Sequence, residues 1–145
     1  MDFTYAGIPA YLQGKRYVRF MAKKEVFDNK VSGPIMRALK HIPVDRANGA
    51  DSYHQAVEYL KQGELVGVYP EATISRSFEL KDFKNGAARM ALEAGAPLLP
   101  TVIWGAQRVW TKGFPKQLGR TGYKIMVGVA EPIEPKVQQT VIEDD

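Results

Sequence analysis

The residues best suited to chemistry lie in one run of the sequence, VYPEATISRS at positions 68–77. The run holds the carboxylate of Glu71, the hydroxyl of Thr73 and the guanidinium of Arg76, with two serines beside them. Arginine offers a rigid fork of N–H donors that matches phosphate oxygens, and hydroxyls and loop N–H groups add further donors. The run therefore suggests a phosphate cradle, although a polar turn in which Glu71 caps local N–H groups has the same composition.

Two other short segments add positive charge. Asp45 and Arg46 form the first, in which the aspartate is expected either to hold the arginine against an anion or to make only a local ion pair. Lys23 and Lys24 form the second, a solvated pair unless a ligand lies nearby. Residues 1–50 carry nine Lys or Arg against four Asp or Glu. This balance suggests an anionic partner, either a phosphate ester, a lipid headgroup or nucleic acid, and charge alone supports a merely solvated surface equally well.

Composition excludes several kinds of site. The chain has 145 residues, no cysteine and only two histidines. A thiolate nucleophile, a disulfide scaffold and a cysteine-ligated metal are therefore ruled out. A histidine-based zinc site is not expected either, because such sites take three or four protein ligands. The length and the 25% of charged residues fit one globular domain over residues 1–145.

The elements that must position these groups alternate between strand and helix. The apolar pattern predicts strands at 17–22, 42–44, 65–69, 98–104 and 123–129. It predicts helices at 33–40, from an N-cap at Asp51 to a stop at Gly63, and at 86–94. This order indicates an α/β fold, a mostly parallel β-sheet with helices on its faces. Pro43 predicts that strand 42–44 lies at an edge or an end of the sheet.

Topology gives a first indication of where a site would lie. In parallel sheets, ligand sites gather beyond the carboxyl ends of the strands. Three predicted strands are followed there by unusual residues: Asp45 and Arg46, then Pro70 and Glu71, then Gly105. We therefore expect these residues to lie at one edge of the sheet.

Aromatic and basic residues alternate between Trp104 and Arg120. This mixture suits a membrane interface, where rings lie at the level of the headgroups. It also suits stacking on single-stranded nucleic acid, or a long loop folded over the core. No apolar run reaches the roughly 18–20 residues of a spanning helix, and the start at Met1 lacks the basic flank and apolar run of a signal peptide, so a soluble or peripheral product is expected.

Several of these segments together resemble one known family. YPEAT at 69–73 is similar to the Phe-Pro-Glu-Gly-Thr-Arg block of the glycerophospholipid acyltransferases, the 1-acyl-glycerol-3-phosphate (lysophosphatidic acid) acyltransferase family. RFMAK at 19–23 resembles the segment ahead of the second block. IPVDR at 42–46 resembles that second block, and LPTV at 99–102 followed by Gly105 resembles the fourth, in the same order and spacing. FKNGAAR at 83–89 resembles the stretch between the third and fourth blocks, so the likeness covers nearly the whole chain.

The resemblance implies a glycerol-3-phosphate acyltransferase-like fold and a reaction. A fatty acyl group would pass from acyl-CoA or acyl carrier protein to a hydroxyl of a lysophospholipid such as 1-acyl-glycerol-3-phosphate, with no cofactor and no metal. Lys23, Arg46 and Arg76 would bind the substrate phosphate, and Glu71 and Thr73 would order the loop around it. The domain would work as a peripheral protein on the anionic cytoplasmic face of a membrane, with no nucleic-acid partner and no transmembrane segment in this chain.

The chain departs from the family pattern in two blocks. The first family block is a histidine, four residues and an aspartate, in which the histidine acts as general base and the aspartate orients it. Asp2 matches the aspartate, and the histidine would stand four residues before Met1. Neither His41 nor His54 has an aspartate five positions later. In the third block Ile74 stands where the family has its phosphate-binding arginine, so we expect Arg76 to take over that contact.

These departures shape the expectation for the chain as a whole. It is expected to be a single acyltransferase domain, incomplete at both ends, and impaired because the catalytic histidine is missing. The alternative is a non-catalytic lipid- or protein-binding remnant of that fold. A basic nucleic-acid-binding module is less favoured, since no nucleic-acid motif occurs and Glu64, Glu71 and Glu79 are expected around the site.

Overall fold

The computed structural model describes residues 2–71, 82–109 and 122–136, with side chains from residue 4 onward. Its helices and strands run in the order α1 (Asp2–Ala6), α2 (Ile8–Gly14), β1 (Val18–Lys23), α3 (Lys24–Asp28), α4 (Ser32–Ala38), β2 (Ile42–Val44), α5 (Gly49–Lys61), β3 (Leu65–Gly67), α6 (Gly86–Ala94), β4 (Thr101–Trp104) and β5 (Met126–Val129). A short 3-10 helix, Ala106–Arg108, follows β4.

Three strands form a parallel sheet in the order β2-β1-β3. Lys23 at the end of β1 is aligned with Val44 at the end of β2, and Phe20 is aligned with Gly67 at the end of β3. The expected α/β fold with a parallel sheet is thereby confirmed. Pro43 lies in β2 at an edge of this sheet, as its missing N–H predicted.

The core lies between this sheet and helices α5 and α6. Ile42 of β2 and Val57 of α5 are fully buried, and Ala56 and Met90 pack with them. The i, i+3, i+4, i+7 pattern that predicted α5 places its apolar residues on this inner face. Burial of these side chains fixes how α5 follows β2, and thereby the loop between them.

The start of α5 differs from the prediction. The helix begins at Gly49, after Asn48, so Asp51 is not its N-cap but lies in the first turn. There the Asp51 carboxylate accepts a hydrogen bond of 2.9 Å from the Asn48 side-chain amide. A carboxylate in the first turn still interacts favourably with the positive end of the helix, which explains the misplaced boundary.

The crossover from β1 to β2 consists of α3 and α4, which pack closely against each other. Asn29 begins the turn between them, and its side-chain oxygen accepts hydrogen bonds from the Val31 and Ser32 N–H groups at 2.9 and 3.2 Å. Gly33 allows the close approach, because a Cβ built on it would lie 2.2 Å from the Phe27 carbonyl oxygen. The predicted helix at 33–40 is confirmed as α4, and α3 was not predicted.

Strands β4 and β5 form an antiparallel pair, with Thr101 opposite Val129 and Trp104 opposite Met126. Among the described residues this pair is a sheet of its own, not a continuation of the parallel one. Both strands are shorter than predicted. The stretch before β4 contributes one further bridge, between Leu98 and Ile133.

Candidate functional site

The carboxyl ends of the three parallel strands bring two of the expected cations to one edge. Lys23 is the last residue of β1 and is exposed, and Arg46 follows β2 by two residues and is also exposed. Because Lys23 is aligned with Val44, the two segments leave the sheet side by side. Neither cation makes an ion pair with another residue in the described ranges, so both are open to an anionic ligand.

Asp45 positions Arg46 in a way that differs from the expected ion pair between them. Its carboxylate accepts a hydrogen bond of 2.9 Å from the Ala47 N–H, which closes a tight turn around Arg46. Its other oxygen lies 3.4 Å from Nζ of Lys24, at the end of the neighbouring strand. The Ala47 N–H and then Lys24 lower the pKa of the Asp45 carboxyl group. Asp45 therefore acts on Arg46 through the backbone.

The segment after β3 reaches the same edge from the other side of β1. The Tyr69 ring stacks on Phe20 of β1 with ring centres 6.1 Å apart, and the half-buried Glu71 follows two residues later. The Pro70 carbonyl accepts a hydrogen bond of 2.8 Å from the Lys84 N–H. Because β1 lies between β2 and β3, Lys23 stands between the Arg46 turn and the segment that carries Glu71.

Three expected site residues cannot be placed with these. Thr73 and Arg76 lie outside the described residues, so their proposed contacts with a phosphate stay predictions. Asp2 begins α1, which packs against β4, and its side chain is likewise outside the described part.

Two further expectations about the edge are wrong. Glu64 precedes β3, at the amino end of the sheet, where its carboxylate pairs with Arg19 at 2.9 Å. It therefore does not surround the candidate site, and the Arg19 guanidinium lowers its pKa. Gly105 follows β4, which is not part of the parallel sheet, so the parallel register does not align it with Lys23 and Arg46. Its φ of +97° and the close Lys124 carbonyl explain the glycine structurally.

Neither histidine lies in the loops at this edge. His41 precedes β2 at the amino end of the sheet, where it is buried and its Nδ1 accepts a hydrogen bond of 3.0 Å from the Phe20 N–H. Burial, and then the nearby Arg19, lower the pKa of His41. His54 lies exposed in α5, with its ring against Tyr53. His41 thus has a structural role, as the buried acceptor that ties the start of β2 to β1.

Among the residues that the structure describes, Lys24 has a role at the site that the sequence analysis missed. The sequence suggests a solvated pair with Lys23, yet Lys24 links the ends of β1 and β2 through Asp45. The only signal would have been the register: once Lys23 stands opposite Val44, the next residues, Lys24 and Asp45, also meet. That register could not be read from the sequence, because it depends on tertiary packing.

Chemically, this edge can bind an anion. Lys23 and Arg46 offer charged N–H donors, and the Asp45 turn and the Lys24 ion pair hold the loop that carries Arg46. In the described part of the chain, no group of three or more His, Asp or Glu residues could hold a metal ion. The described edge thus offers electrostatic binding and orientation.

Comparison with known proteins identifies the fold. Residues 1–104 match the model of the family described as Acyltransferase. A solved structure from Thermotoga maritima, the 1-acyl-sn-glycerophosphate (LPA) acyltransferase PlsC, superposes with a TM-score of 0.64 at 28% sequence identity. That superposition covers 88% of this chain and 51% of the Thermotoga chain.

Curated relatives agree with that match. A 1-acyl-sn-glycerol-3-phosphate acyltransferase of Bacillus subtilis is 39% identical over 89 residues, covering 61% of this chain and 44% of the relative. A probable 1-acyl-sn-glycerol-3-phosphate acyltransferase of Mycoplasma pneumoniae is 31% identical over 130 residues, covering 85% and 48%. The chain therefore spans about half the length of these relatives. The family match over most of the chain confirms the resemblance seen in its motifs: this chain belongs to the acyltransferase family.

Proposed function

We propose that this chain is an acyltransferase domain acting on a lysophospholipid. A fatty acyl group passes from acyl-CoA or acyl carrier protein to a hydroxyl of an acceptor such as 1-acyl-glycerol-3-phosphate. The observation that carries the proposal is the pair of exposed cations, Lys23 and Arg46, at the carboxyl edge of a parallel sheet. They stand in a chain whose residues 1–104 match the acyltransferase family and whose similar proteins are named for this reaction.

The proposed chemistry needs no metal and no covalent enzyme intermediate. The acceptor hydroxyl oxygen attacks the thioester carbonyl, a C–O bond forms, the C–S bond breaks, and a general base moves the hydroxyl proton to the departing thiol. Lys23 and Arg46 bind the phosphate of the acceptor, and Arg76 adds a third cation. Glu71 and Thr73 order the loop that carries Arg76.

The histidine that the family pattern pairs with Asp2 is not among these 145 residues. His41 is buried and accepts a hydrogen bond from the Phe20 N–H at the opposite edge of the sheet. His54 lies beside Tyr53 in α5 and has no aspartate five positions later to orient it. A positioned general base contributes roughly 10²- to 10⁴-fold in rate. We therefore expect the 145-residue polypeptide to bind the acceptor and to transfer acyl groups only slowly.

Acyl-transfer assays on two extended chains test this. One carries an added amino-terminal segment that places a histidine five positions before Asp2, and the matched control carries alanine there. Labelled acyl-CoA and acyl carrier protein are offered separately, with 1-acyl-glycerol-3-phosphate in detergent micelles. The histidine version should be faster than the control and the 145-residue chain by about 10²-fold or more.

The assays also separate the proposal from its rivals. Full activity in the 145-residue chain would show that another residue supplies the base. Binding of the lysophospholipid without transfer in any version would favour a lipid-binding remnant of the fold. No binding and no transfer would refute the proposal.

The proposed place of action is the anionic cytoplasmic face of a membrane, with the chain as a peripheral protein. A water-insoluble acceptor is reached most directly at a lipid surface, and the chain has a net charge of +4. Within the described ranges, none of the helices has both the length and the apolar character needed to cross a bilayer.

A further inference from the structure

Helix α2 presents an apolar face to solvent. Ile8, Tyr11 and Leu12 stand at positions i, i+3 and i+4, and they are 44%, 46% and 76% exposed. Residues at this spacing lie on one side of a helix. No residue of α2 is buried. Ile8 and Tyr11 border a cavity that also contacts the buried Phe20 and His41, whereas Leu12 is the most exposed of the three.

Helix α4 carries a second apolar stripe that also points outward. Val31, Ile35 and Leu39 follow at intervals of four residues and are 78%, 57% and 42% exposed. At about 100° per residue they lie within roughly 80° of one side of the helix. Gly33 and Met36 occupy the opposite, buried side. Helix α4 therefore packs onto the domain through its buried side, and the exposed stripe takes no part in that packing.

One end of each stripe lines the same cavity of about 240 Å³. Ile8 and Tyr11 line it from α2, and Leu39 lines it from the end of α4. The exposed Tyr17 borders the same cavity, with its ring centre 5.5 Å from that of Tyr11. We call the six residues Ile8, Tyr11, Leu12, Val31, Ile35 and Leu39 the α2–α4 patch.

Positive charge surrounds the patch. Residues 8–40 hold eight Lys or Arg against two Asp or Glu, a net charge of +6 in a chain whose total is +4. Lys15 and Lys30 flank the ends of α2 and α4, are exposed, and make no ion pair with any residue in the described part of the chain. Lys40 instead lines a second cavity with Pro43 and Tyr59. An apolar face flanked by lysines, with tyrosine rings at its border, matches the interface of an anionic bilayer.

We propose that the α2–α4 patch is the surface by which this domain docks on an anionic lipid bilayer. The apolar side chains enter the boundary between headgroups and acyl chains, and Lys15 and Lys30 contact the lipid phosphates. The inference deepens the proposed function, whose acceptor is a lipid. The membrane contact that the sequence suggests at Trp104 to Arg120 falls largely outside the described residues and stays a prediction. The exposure and charge of α2 and α4 support the docking surface, and these observations do not depend on the proposed acyl-transfer reaction.

The patch also reaches the edge that carries the candidate site. Helix α4 returns the chain from the carboxyl end of β1 to the amino end of β2, so Val31 lies towards the edge with Lys23 and Leu39 towards the opposite edge. A bilayer along this stripe would therefore extend to the edge that holds Lys23 and Arg46. An acceptor lipid could reach the cations from the membrane surface.

Vesicle flotation of the 145-residue chain tests the docking surface, with no acyl donor present. Vesicles contain phosphatidylcholine alone, or phosphatidylcholine and phosphatidylglycerol at about 7:3, at roughly 100 mM and 500 mM salt. The test variant is Leu12→Ser with Ile35→Ser. The matched control is Leu92→Ser with Val102→Ser, two side chains of α6 and β4 that are 46% and 67% exposed. Thermal unfolding followed by circular dichroism checks that each variant folds.

The unaltered chain should float with the anionic vesicles, less at high salt and less with phosphatidylcholine alone. The Leu12→Ser, Ile35→Ser variant should lose about ten-fold in partition coefficient, and the control should match the unaltered chain. Lys15→Glu with Lys30→Glu should lower binding to the anionic vesicles alone.

Three results would overturn the proposal. They are unchanged flotation of the Leu12→Ser, Ile35→Ser variant, an equal loss in the control, and a dimer in light scattering that this variant dissociates while no chain binds vesicles. The acyl-transfer assays use micelles, so activity without flotation would refute the docking surface alone. Flotation without lysophospholipid binding or transfer would refute the proposed function alone.

Discussion

Arg46 owes its position to the residue before it. The Asp45 carboxylate caps the Ala47 N–H and pairs with Lys24, so the turn after β2 is fixed on both sides while the guanidinium of Arg46 stays exposed. The sequence predicted that Asp45 and Arg46 work together, but it suggested a direct ion pair. Because Asp45 bonds to the Ala47 N–H and not to the Arg46 guanidinium, the charge of Arg46 stays available to a ligand.

Substitution of Arg46 should weaken binding of the acceptor. A hydrogen bond to a charged group is worth about 1.5–3 kcal/mol, so Arg46→Ala should raise the dissociation constant of 1-acyl-glycerol-3-phosphate roughly 10-fold or more. Titration calorimetry on the 145-residue chain measures this without requiring activity. Lys61→Ala is the control, since Lys61 pairs with Glu58 at the far end of α5. Equal affinities in the unaltered chain and Arg46→Ala would remove Arg46 from the site.

His41 should make stability depend on pH. Burial lowers its pKa from the ordinary 6.5, so below that pH the unfolded chain takes up a proton that the folded chain resists. The free energy of unfolding should therefore fall as the pH drops from 7 towards 5. Urea unfolding at both pH values should show a smaller fall for His41→Gln, in which an amide oxygen can still accept from the Phe20 N–H. An equal fall in both chains would mean that other groups control this range.

At the scale of elements, helices and strands bounded by Gly or Pro could be predicted from the sequence, and very short helices could not. Strand 42–44 and helix 86–94 have the predicted bounds, because Pro43, Gly95 and Pro97 punctuate the chain there. Helices α1, α2 and α3 were missed, since five to seven residues are too few to show a helical period. The missed helix α2 carries half of the α2–α4 patch, so the sequence did not indicate that surface.

Gly33 controls how α3 and α4 pack. In Gly33→Ala the new methyl group would meet the Phe27 carbonyl oxygen at 2.2 Å, so the two helices must separate. We expect a loss of about 1–3 kcal/mol in the free energy of unfolding, measured by urea denaturation. Gly86→Ala is the matched control at the start of α6, where a Cβ meets no atom within 4 Å. Because alanine is the better helix former, Gly86→Ala should be neutral or stabilising, and a loss as large as that of Gly33→Ala would show that the contact with Phe27 is not responsible.

At the scale of the molecule, the sequence predicted a parallel sheet with cations at its carboxyl edge, and Lys23 and Arg46 lie there. It could not predict that β4 and β5 pair separately, because the antiparallel or parallel choice depends on which strands meet in space. It also misplaced Glu64, whose attraction to Arg19 depends on a contact between residues 45 positions apart. The order of helices and strands along the chain could be predicted from the sequence, whereas contacts between distant segments could not.

The charge of the whole molecule argues against nucleic acid as the partner. The basic surface of residues 8–40 includes exposed apolar side chains, and the rest of the chain has a net charge of −2. At 150 mM salt we expect a single-stranded oligonucleotide to bind no tighter than non-specific proteins do, with a dissociation constant of about 10⁻⁵ M or weaker. Fluorescence anisotropy measures this. A submicromolar constant at that salt would reopen the nucleic-acid hypothesis.

The proline in β2 has a consequence for how the protein behaves in concentrated solution. β2 has only three residues, and the middle one has no N–H to offer to an incoming chain. An edge strand with unpaired N–H and C=O groups can pair with the edge strand of another copy, and repeated pairing leads to aggregation. Pro43 makes this border a poor template, which protects the domain from such self-association while its cationic edge stays accessible.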